Sequence, residues 1–186
     1  NTNLPISKVR EIIKNCLRDY DLLNIPHEVY VEKEYEGNKR FEMRFKGPLY
    51  NGNKESTNTL KIDFNKNKVT NTVVKVIPQL FSDIPLFTLV SLAEHEILAE
   101  KIRALVSRSA PRDAYDVWML LQKKVKLDKK LIFEKLKEEH ITVTKIPFPE
   151  EKVYMRDLKQ LLDIVPPYTQ VKEDVLVALM PYGLRE

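Results

Sequence analysis

Residues 94–118 have the sequence EHEILAEKIRALVSRSAPRDAYDVW, and this stretch is the most informative part of the sequence about the fold. At about 100° per residue, its first half forms a helix whose apolar side chains fall on one arc. The members of that arc are Ile97, Leu98, Ile102, Ala104 and Leu105. Lys101 and Arg108 project into the same arc. Because an unpaired buried charge is very costly, these cations require an anion or a water-filled cleft.

The opposite face of this first helix carries Glu96, Glu100 and Arg103. A second helix follows Ser109-Ala-Pro111, where Pro suits the first turn of a helix. It also carries a charged residue within its apolar face, but the charge is negative. Asp113 lies there among apolar residues, on the side that should pack inward. We therefore expect the two cations and this carboxylate to converge, either as a buried ion-pair lattice or as the wall of a site for an anionic ligand.

The same stretch resembles the AbiEii/AbiGii toxin family of nucleotidyltransferases, which belongs to the minimal nucleotidyltransferase superfamily. The matching positions are Glu96, Lys101, Arg103, Arg108, Arg112, Asp113, Tyr115 and Asp116. A looser match in the order of elements extends from about residue 5 to about residue 125. The resemblance implies transfer of a nucleoside monophosphate from an NTP to an acceptor, for which an RNA is the candidate. It also implies Mg²⁺ as cofactor and a cognate antitoxin protein as partner.

One part of the family's catalytic centre has no counterpart in this sequence. The family has a Gly-Gly-Thr or Gly-Ser turn followed by a strand ending in Asp-x-Asp, whereas none of the four glycines here precedes Gly, Ser or Thr. Asp19-Tyr-Asp21 follows no such turn and is interpreted as a solvated helix end. We expect the N-terminal part of the catalytic domain to precede Asn1 in the parent protein, and these 186 residues alone to be inactive. A family member that has lost the motif is the alternative.

The segment Thr59–Asn65 alternates like a strand, with Leu60, Ile62 and Phe64 on one face. Lys61 and Asp63 share the other face. In the superfamily a third acidic residue stands on a strand at this point in the order, so the resemblance makes Asp63 the candidate catalytic residue and Mg²⁺ ligand. The open alternative is a strand with one solvated face.

Nucleotidyl transfer requires cations that hold the triphosphate and its developing charge. Lys101 is the candidate catalytic residue for that role, and we expect Asp63 to face the same cleft. The candidate substrate-binding residues are Lys61, Arg103, Arg108, Arg112 and Asp113. The alternative is an ion-pair cluster that only joins two helices, in a non-catalytic RNA- or protein-binding module.

The remaining patterns predict an α+β fold with a partly antiparallel sheet, followed by a helical C-terminal bundle. An amphipathic helix of about 13 residues follows Pro5, and the spacing of Cys16 on its apolar side predicts a small core residue. Residues 29–45 alternate like two strands around a turn at Gly37, and 73–77 form a further strand. From Ser91 to about Lys124 the pattern is helical. We assign residues 1–85 to a remnant of the nucleotidyltransferase core and 86–186 to a helical domain carrying the motifs above.

The composition is that of a globular protein without a membrane span or a signal peptide. The single cysteine cannot form an internal disulfide, which is typical of a cytoplasmic protein. A net charge of +4 permits an anionic partner without requiring one. The only dense cluster of lysines lies in residues 123–130, and it is interpreted as a solvated surface or as a nucleic-acid contact.

Overall fold

The computed structural model describes residues 4–35, 37–65, 67–79, 81–82, 84–141 and 145–184. This part of the chain contains six α-helices: α1 (Ile6–Leu22), α2 (Glu94–Arg108), α3 (Pro111–Gln122), α4 (Lys129–Glu138), α5 (Glu151–Leu158) and α6 (Tyr168–Leu179). Its five strands are β1 (His27–Tyr35), β2 (Asn38–Phe45), β3 (Asn58–Phe64), β4 (Thr72–Ile77) and β5 (Phe87–Leu92). Short 3-10 helices span Lys54–Ser56 and Met180–Tyr182. Antiparallel strands followed by a helix-rich half confirm the predicted α+β fold.

The chain divides into two compact units, Asn1–Lys68 and Val69–Glu186. Strands β4 and β5 go with the helices because the segment before β4 is bonded to α2. The backbone carbonyl of Asn71 accepts from the Ala93 N–H, and the Asn71 side chain donates to Glu96. The assignment of residues 1–85 to a remnant of the nucleotidyltransferase core and of 86–186 to a helical domain stays a prediction, because a division into compact units does not test the domains of a family.

In the first unit, α1 covers one face of a three-stranded antiparallel sheet with the order β1-β2-β3. Its buried core consists of Val9, Ile13, Leu17, Phe41 and Met43. The predicted hairpin at Gly37 is confirmed, since Tyr35 pairs with Asn38 across it. The prediction that Cys16 belongs to the core is wrong. The buried residues of α1 recur every four positions, and position 16 lies outside that row.

In the second unit, β4 and β5 form an antiparallel ribbon, and the helices enclose the main core. The predicted helical pattern began at Ser91, but β5 extends to Leu92 and α2 begins at Glu94. Helix α2 packs against α3 and α4, and α3 packs against α5 and α6. The α3–α6 contact includes a hydrogen bond from Trp118 Nε1 to Asp174 Oδ2 of 2.8 Å.

Among the residues described, none of the helices has the length and apolar character needed to cross a membrane.

Candidate functional site at the junction of α2 and α3

The turn between α2 and α3 is short and sharply bent. Helix α2 ends at Arg108, and its C-cap Ser109 adopts the left-handed conformation with φ 52°. Pro111 then occupies the first turn of α3, where its missing N–H costs nothing. Only Ser109 and Ala110 separate the helices, so the last turn of α2 and the first turn of α3 are held close together.

Three side chains meet at this junction, as helical phase predicted. The Lys101 Nζ lies 3.3 Å from the Asp113 Oδ1. Arg108 donates from Nε to the Asp113 Oδ2 at 2.6 Å and from Nη2 to the Oδ1 at 3.0 Å. The predicted convergence of Lys101, Arg108 and Asp113 is confirmed. The roles assigned to these residues in catalysis and substrate binding stay predictions.

A fourth side chain, Asp116, was in the motif but not among the predicted site residues. Its Oδ2 lies 2.6 Å from the Lys101 Nζ, whereas the Asp113 Oδ1 lies 3.3 Å from the same atom. Asp113 and Asp116 are three positions apart on α3, and such residues are neighbours on a helix surface. That spacing was the signal that could have identified it. We call Lys101, Arg108, Asp113 and Asp116 the Asp113 cluster.

The Asp113 cluster combines a buried anion with accessible cations. The Asp113 side chain is 0% exposed, whereas Lys101 is 33% and Arg108 63% exposed. Burial alone would raise the pKa of the Asp113 carboxyl. The hydrogen bonds and charge of Arg108, and then those of Lys101, outweigh burial and hold this pKa below its ordinary value. Asp113 is therefore a fixed negative charge that orients the two cations.

A second ion-pair cluster lies on the face of α2 opposite its apolar arc. Glu96 is 0% exposed there, because α4 and the segment before β4 cover it. The Lys135 Nζ lies 2.7 Å from the Glu96 Oε1 and 2.8 Å from the Glu100 Oε1. Glu96 also accepts from the backbone N–H groups of Thr70 and Asn71. We call Glu96, Glu100 and Lys135 the Lys135 cluster.

Sequence reasoning missed Lys135, although its signal was present. This lysine is 1% exposed and lies in a row of buried apolar residues on α4. It therefore repeats the anomaly that identified Lys101, a cation inside an apolar stripe. Burial would lower the pKa of Lys135, but hydrogen bonds to Glu100 and Glu96 and their charges raise it above its ordinary value.

The other predicted substrate-binding residues lie outside the Asp113 cluster. Arg103 is bonded to Glu100 at 2.9 Å and also to Glu139. Arg112 is exposed on the first turn of α3. Lys61 is exposed on β3 in the first unit, opposite Glu42 of β2.

Asp63 is exposed on the first unit and has a partner of its own. The Arg40 Nε donates to the Asp63 Oδ1 at 2.6 Å, and the Arg40 Nη2 donates to the Oδ2 at 3.2 Å. Both carboxylate oxygens are thus occupied by one guanidinium. Asp63 and Lys101 belong to different compact units, so a cleft shared by them stays a prediction.

The described residues contain no group of three or more His, Cys, Asp or Glu side chains that could hold a metal ion. Asp63, the predicted ligand, is a single carboxylate engaged by Arg40. Asp19 and Asp21 are exposed in the last turn of α1, as expected of a helix end. The part of the chain that the structure describes does not by itself fit a Mg²⁺ site.

The comparison with known families extends the resemblance from the motif to most of the chain. The family model described as nucleotidyl transferase AbiEii toxin of type IV toxin–antitoxin systems matches residues 6–177. Neither the curated proteins nor the solved structures gave a match. The matched range includes the Asp113 cluster, the Lys135 cluster and Asp63. The chain therefore belongs to the AbiEii family of nucleotidyl transferase toxins.

Proposed function

We propose that this chain provides the substrate-binding part of a toxin nucleotidyltransferase that transfers a nucleoside monophosphate from an NTP to an RNA acceptor. One observation carries the proposal beyond the family match. A fully buried carboxylate, Asp113, holds two accessible cations side by side at the junction of two helices. A triphosphate needs such a pair, because its charge is spread over several oxygens.

The two cations suit different parts of a triphosphate. Arg108 uses Nε and Nη2 to bind Asp113, and a guanidinium has five N–H donors in all. Its remaining donors can bind phosphate oxygens, and its exposure of 63% makes them accessible. Lys101 supplies a compact charge beside it. Arg112 is a third exposed cation near the junction, whereas Arg103 is engaged by two carboxylates and is not assigned a direct contact.

The Mg²⁺ requirement belongs to the same proposal. A metal-bound carboxylate pair would activate the attacking hydroxyl, and Asp63 could contribute one ligand if Arg40 released it. Other carboxylates would have to complete the site, because the described residues contain no ready cluster. A cognate antitoxin is the proposed protein partner, in keeping with the type IV systems to which the family belongs.

A non-catalytic RNA- or protein-binding module is the second candidate function. It is favoured by the pairing of Lys101 with two carboxylates, Asp113 and Asp116. A lysine satisfied in this way can serve the packing of α2 on α3 without contacting any ligand. The two candidates therefore differ in what removal of Lys101 does.

The deciding experiment is Lys101→Met in the complete enzyme, with Lys152→Met as the matched control at an exposed position of α5. Arg108 still pairs with Asp113 in the variant, so we expect a stability loss below about 1 kcal/mol. Transfer of labelled nucleotide to RNA should fall to background, while the control keeps full activity. Unchanged transfer, together with a stability loss of about 3–5 kcal/mol, would favour the structural cluster instead.

A protein made of these 186 residues alone should show no metal-dependent transfer. The physical reason is the single engaged carboxylate at Asp63, since two ions cannot be organised by one ligand. The measurement is incorporation of labelled nucleotide into RNA with and without Mg²⁺. Robust incorporation that depends on Mg²⁺ would contradict the prediction and show that the motif absent from this sequence is dispensable.

A further inference from the structure

A cavity of about 460 Å³ lies in the second unit, and none of the described residues that line it belongs to the Asp113 cluster or the Lys135 cluster. Its walls are formed by His95, Lys126, Leu127, Asp128, Lys129 and Lys130. The volume lies in the range of roughly 300–1,000 Å³ that is usual for ligand sites. Three of the six lining residues are lysines, so the cavity is strongly basic.

The carboxylates of the described residues leave most of this charge unpaired. Asp128, the acidic residue in the wall, is occupied as the N-cap of α4 and accepts from the Leu131 N–H at 3.0 Å. Within the described part of the chain, Lys130 has Glu134 at 4.0 Å, whereas Lys126 and Lys129 have no carboxylate within that distance. This differs from the Asp113 cluster, where both cations are tied to carboxylates.

The position of two of these lysines also argues against a role in helix stability. Lys129 and Lys130 begin α4, and its first turn contains no acidic residue. A positive charge at a helix N-terminus is unfavourable because it opposes the helix dipole. Placing two lysines there costs stability in the free protein. The Asp128 carboxylate at the N-cap offsets part of that cost, and a bound anion would offset more of it.

An exposed aromatic ring distinguishes a nucleic acid from other anions. Phe133 on α4 is 40% exposed, and it lies four and three positions after Lys129 and Lys130. Residues at these spacings are neighbours on a helix surface. Lysines interleaved with an exposed aromatic ring suit a nucleic-acid strand, whose phosphates pair with cations and whose bases stack on rings. A peptide whose side chains are all acidic would leave the ring unused.

We propose that this lysine-lined cavity and Phe133 bind a nucleic-acid strand through its phosphodiester backbone and one stacked base. The identification of this strand as the RNA acceptor of the transfer rests on the function proposed above. The cavity then holds the acceptor while the Asp113 cluster holds the NTP. Acceptor and nucleotide would thus be recognised by separate residues of the second unit.

The test is fluorescence anisotropy of a labelled single-stranded RNA with the complete enzyme, over a series of salt concentrations and without NTP. The test variant is Lys126→Gln with Lys129→Gln, and the matched control is Lys152→Gln with Lys159→Gln, two exposed lysines outside the cavity. Losing two phosphate contacts should reduce the slope of log affinity against log salt by about 1.4, whereas the control keeps the slope. Phe133→Leu should weaken binding roughly tenfold with the slope unchanged.

Each outcome supports or overturns the proposal separately from transfer activity. Equal slopes for the wild type and the cavity variant would overturn it, even if the enzyme transfers nucleotide normally. Binding of polyglutamate with the same lysine dependence, together with no effect of Phe133→Leu on RNA, would also overturn it in favour of an acidic protein partner. A DNA strand of the same sequence separates the two sources of phosphodiester, and a clear preference for DNA would exclude the RNA acceptor.

Discussion

Helix α2 carries two ion-pair clusters that differ in whether solvent can reach the cation. In the Lys135 cluster, the side chains of Lys135 and Glu96 are 1% and 0% exposed. In the Asp113 cluster the carboxylate is equally buried, but Lys101 and Arg108 are 33% and 63% exposed. A closed cluster can only hold elements of the fold together. An open cluster can in addition present its cations to a ligand.

The closed cluster connects three separate parts of the second unit. Glu96 on α2 receives the Lys135 ammonium from α4 and the backbone N–H groups of Thr70 and Asn71 before β4. Such full pairing is what allows a carboxylate to be buried at all, because a buried charge without partners is very costly. The Lys135 cluster is therefore expected to dominate stability, and the Asp113 cluster to dominate ligand binding.

The largest expected effect is that of Lys135→Met on folding. The substitution leaves Glu96 buried without its cation, so we expect a loss of about 3–5 kcal/mol in the free energy of unfolding. Urea unfolding followed by circular dichroism measures it. The control is Lys130→Met on the same helix. The Lys130 side chain is 87% exposed, so this variant should change the free energy of unfolding by less than about 1 kcal/mol in either direction. Equal losses in both variants would contradict the dominant role in stability that is assigned to the Lys135 cluster.

The sequence predicted that Lys101, Arg108 and Asp113 of the open cluster converge, because their geometry is local. The phase of Lys101 and Arg108 on one helix and a turn of two residues are sufficient to bring Asp113 to them. The sequence did not predict that Glu96 is buried, because the face of α2 that carries this residue is covered by α4 and by residues before β4. Contacts between elements distant in the chain are not encoded in the periodicity of one helix.

The same limit applies to the strands and to Asp63. Alternation predicted β2 and β3, because the apolar face of β2 carries the buried Phe41 and Met43 and that of β3 carries the half-buried Ile62 and Phe64. Strand β5 was missed, since its apolar run directly precedes the helical pattern of α2 and shows no clear alternation. The partner of Asp63 is Arg40 on the neighbouring strand, and that pairing depends on the register between β2 and β3 rather than on either strand alone.

A smaller effect is expected for Asp113→Asn, and its pH dependence sharpens the comparison. Removing the carboxylate breaks charged hydrogen bonds, but Arg108 and Lys101 can turn to solvent, so we expect a loss of about 2 kcal/mol at neutral pH. The pKa of Asp113 is held below its ordinary value of 3.8, because bonds and charge from Arg108 and Lys101 outweigh burial. A depressed folded pKa contributes stability that is present above pH 3.8 and lost as the pH falls through the folded value.

The difference in unfolding free energy between the wild type and Asp113→Asn should therefore shrink below pH 3.8. Urea unfolding at a series of pH values measures this difference. Glu96 has the same sign, since burial raises its pKa but bonds from Lys135, Asn71 and Thr70 lower it below 4.5. Its contribution is common to both proteins and cancels in the difference. A difference that stays constant down to the most acidic pH would show that the charge of Asp113 is not what stabilises the junction.

The smallest effect on folding is expected for Arg108→Lys, and it is the most direct test of the open cluster. Lysine keeps the charge but cannot make the two parallel bonds to Asp113 that the guanidinium makes. Because Arg108 is largely exposed, the stability loss should stay below about 1 kcal/mol.

Arg156→Lys is a matched control, since Arg156 is 67% exposed and also donates from Nε to an aspartate, Asp157. In the complete enzyme, binding of a non-hydrolysable NTP, measured by calorimetry, should weaken about tenfold for Arg108→Lys, a change of about 1.4 kcal/mol. The control should keep wild-type affinity, because only an arginine oriented by a buried carboxylate is already in place for a phosphate. Equal affinities in the two variants would assign Arg108 to the packing of the helices alone.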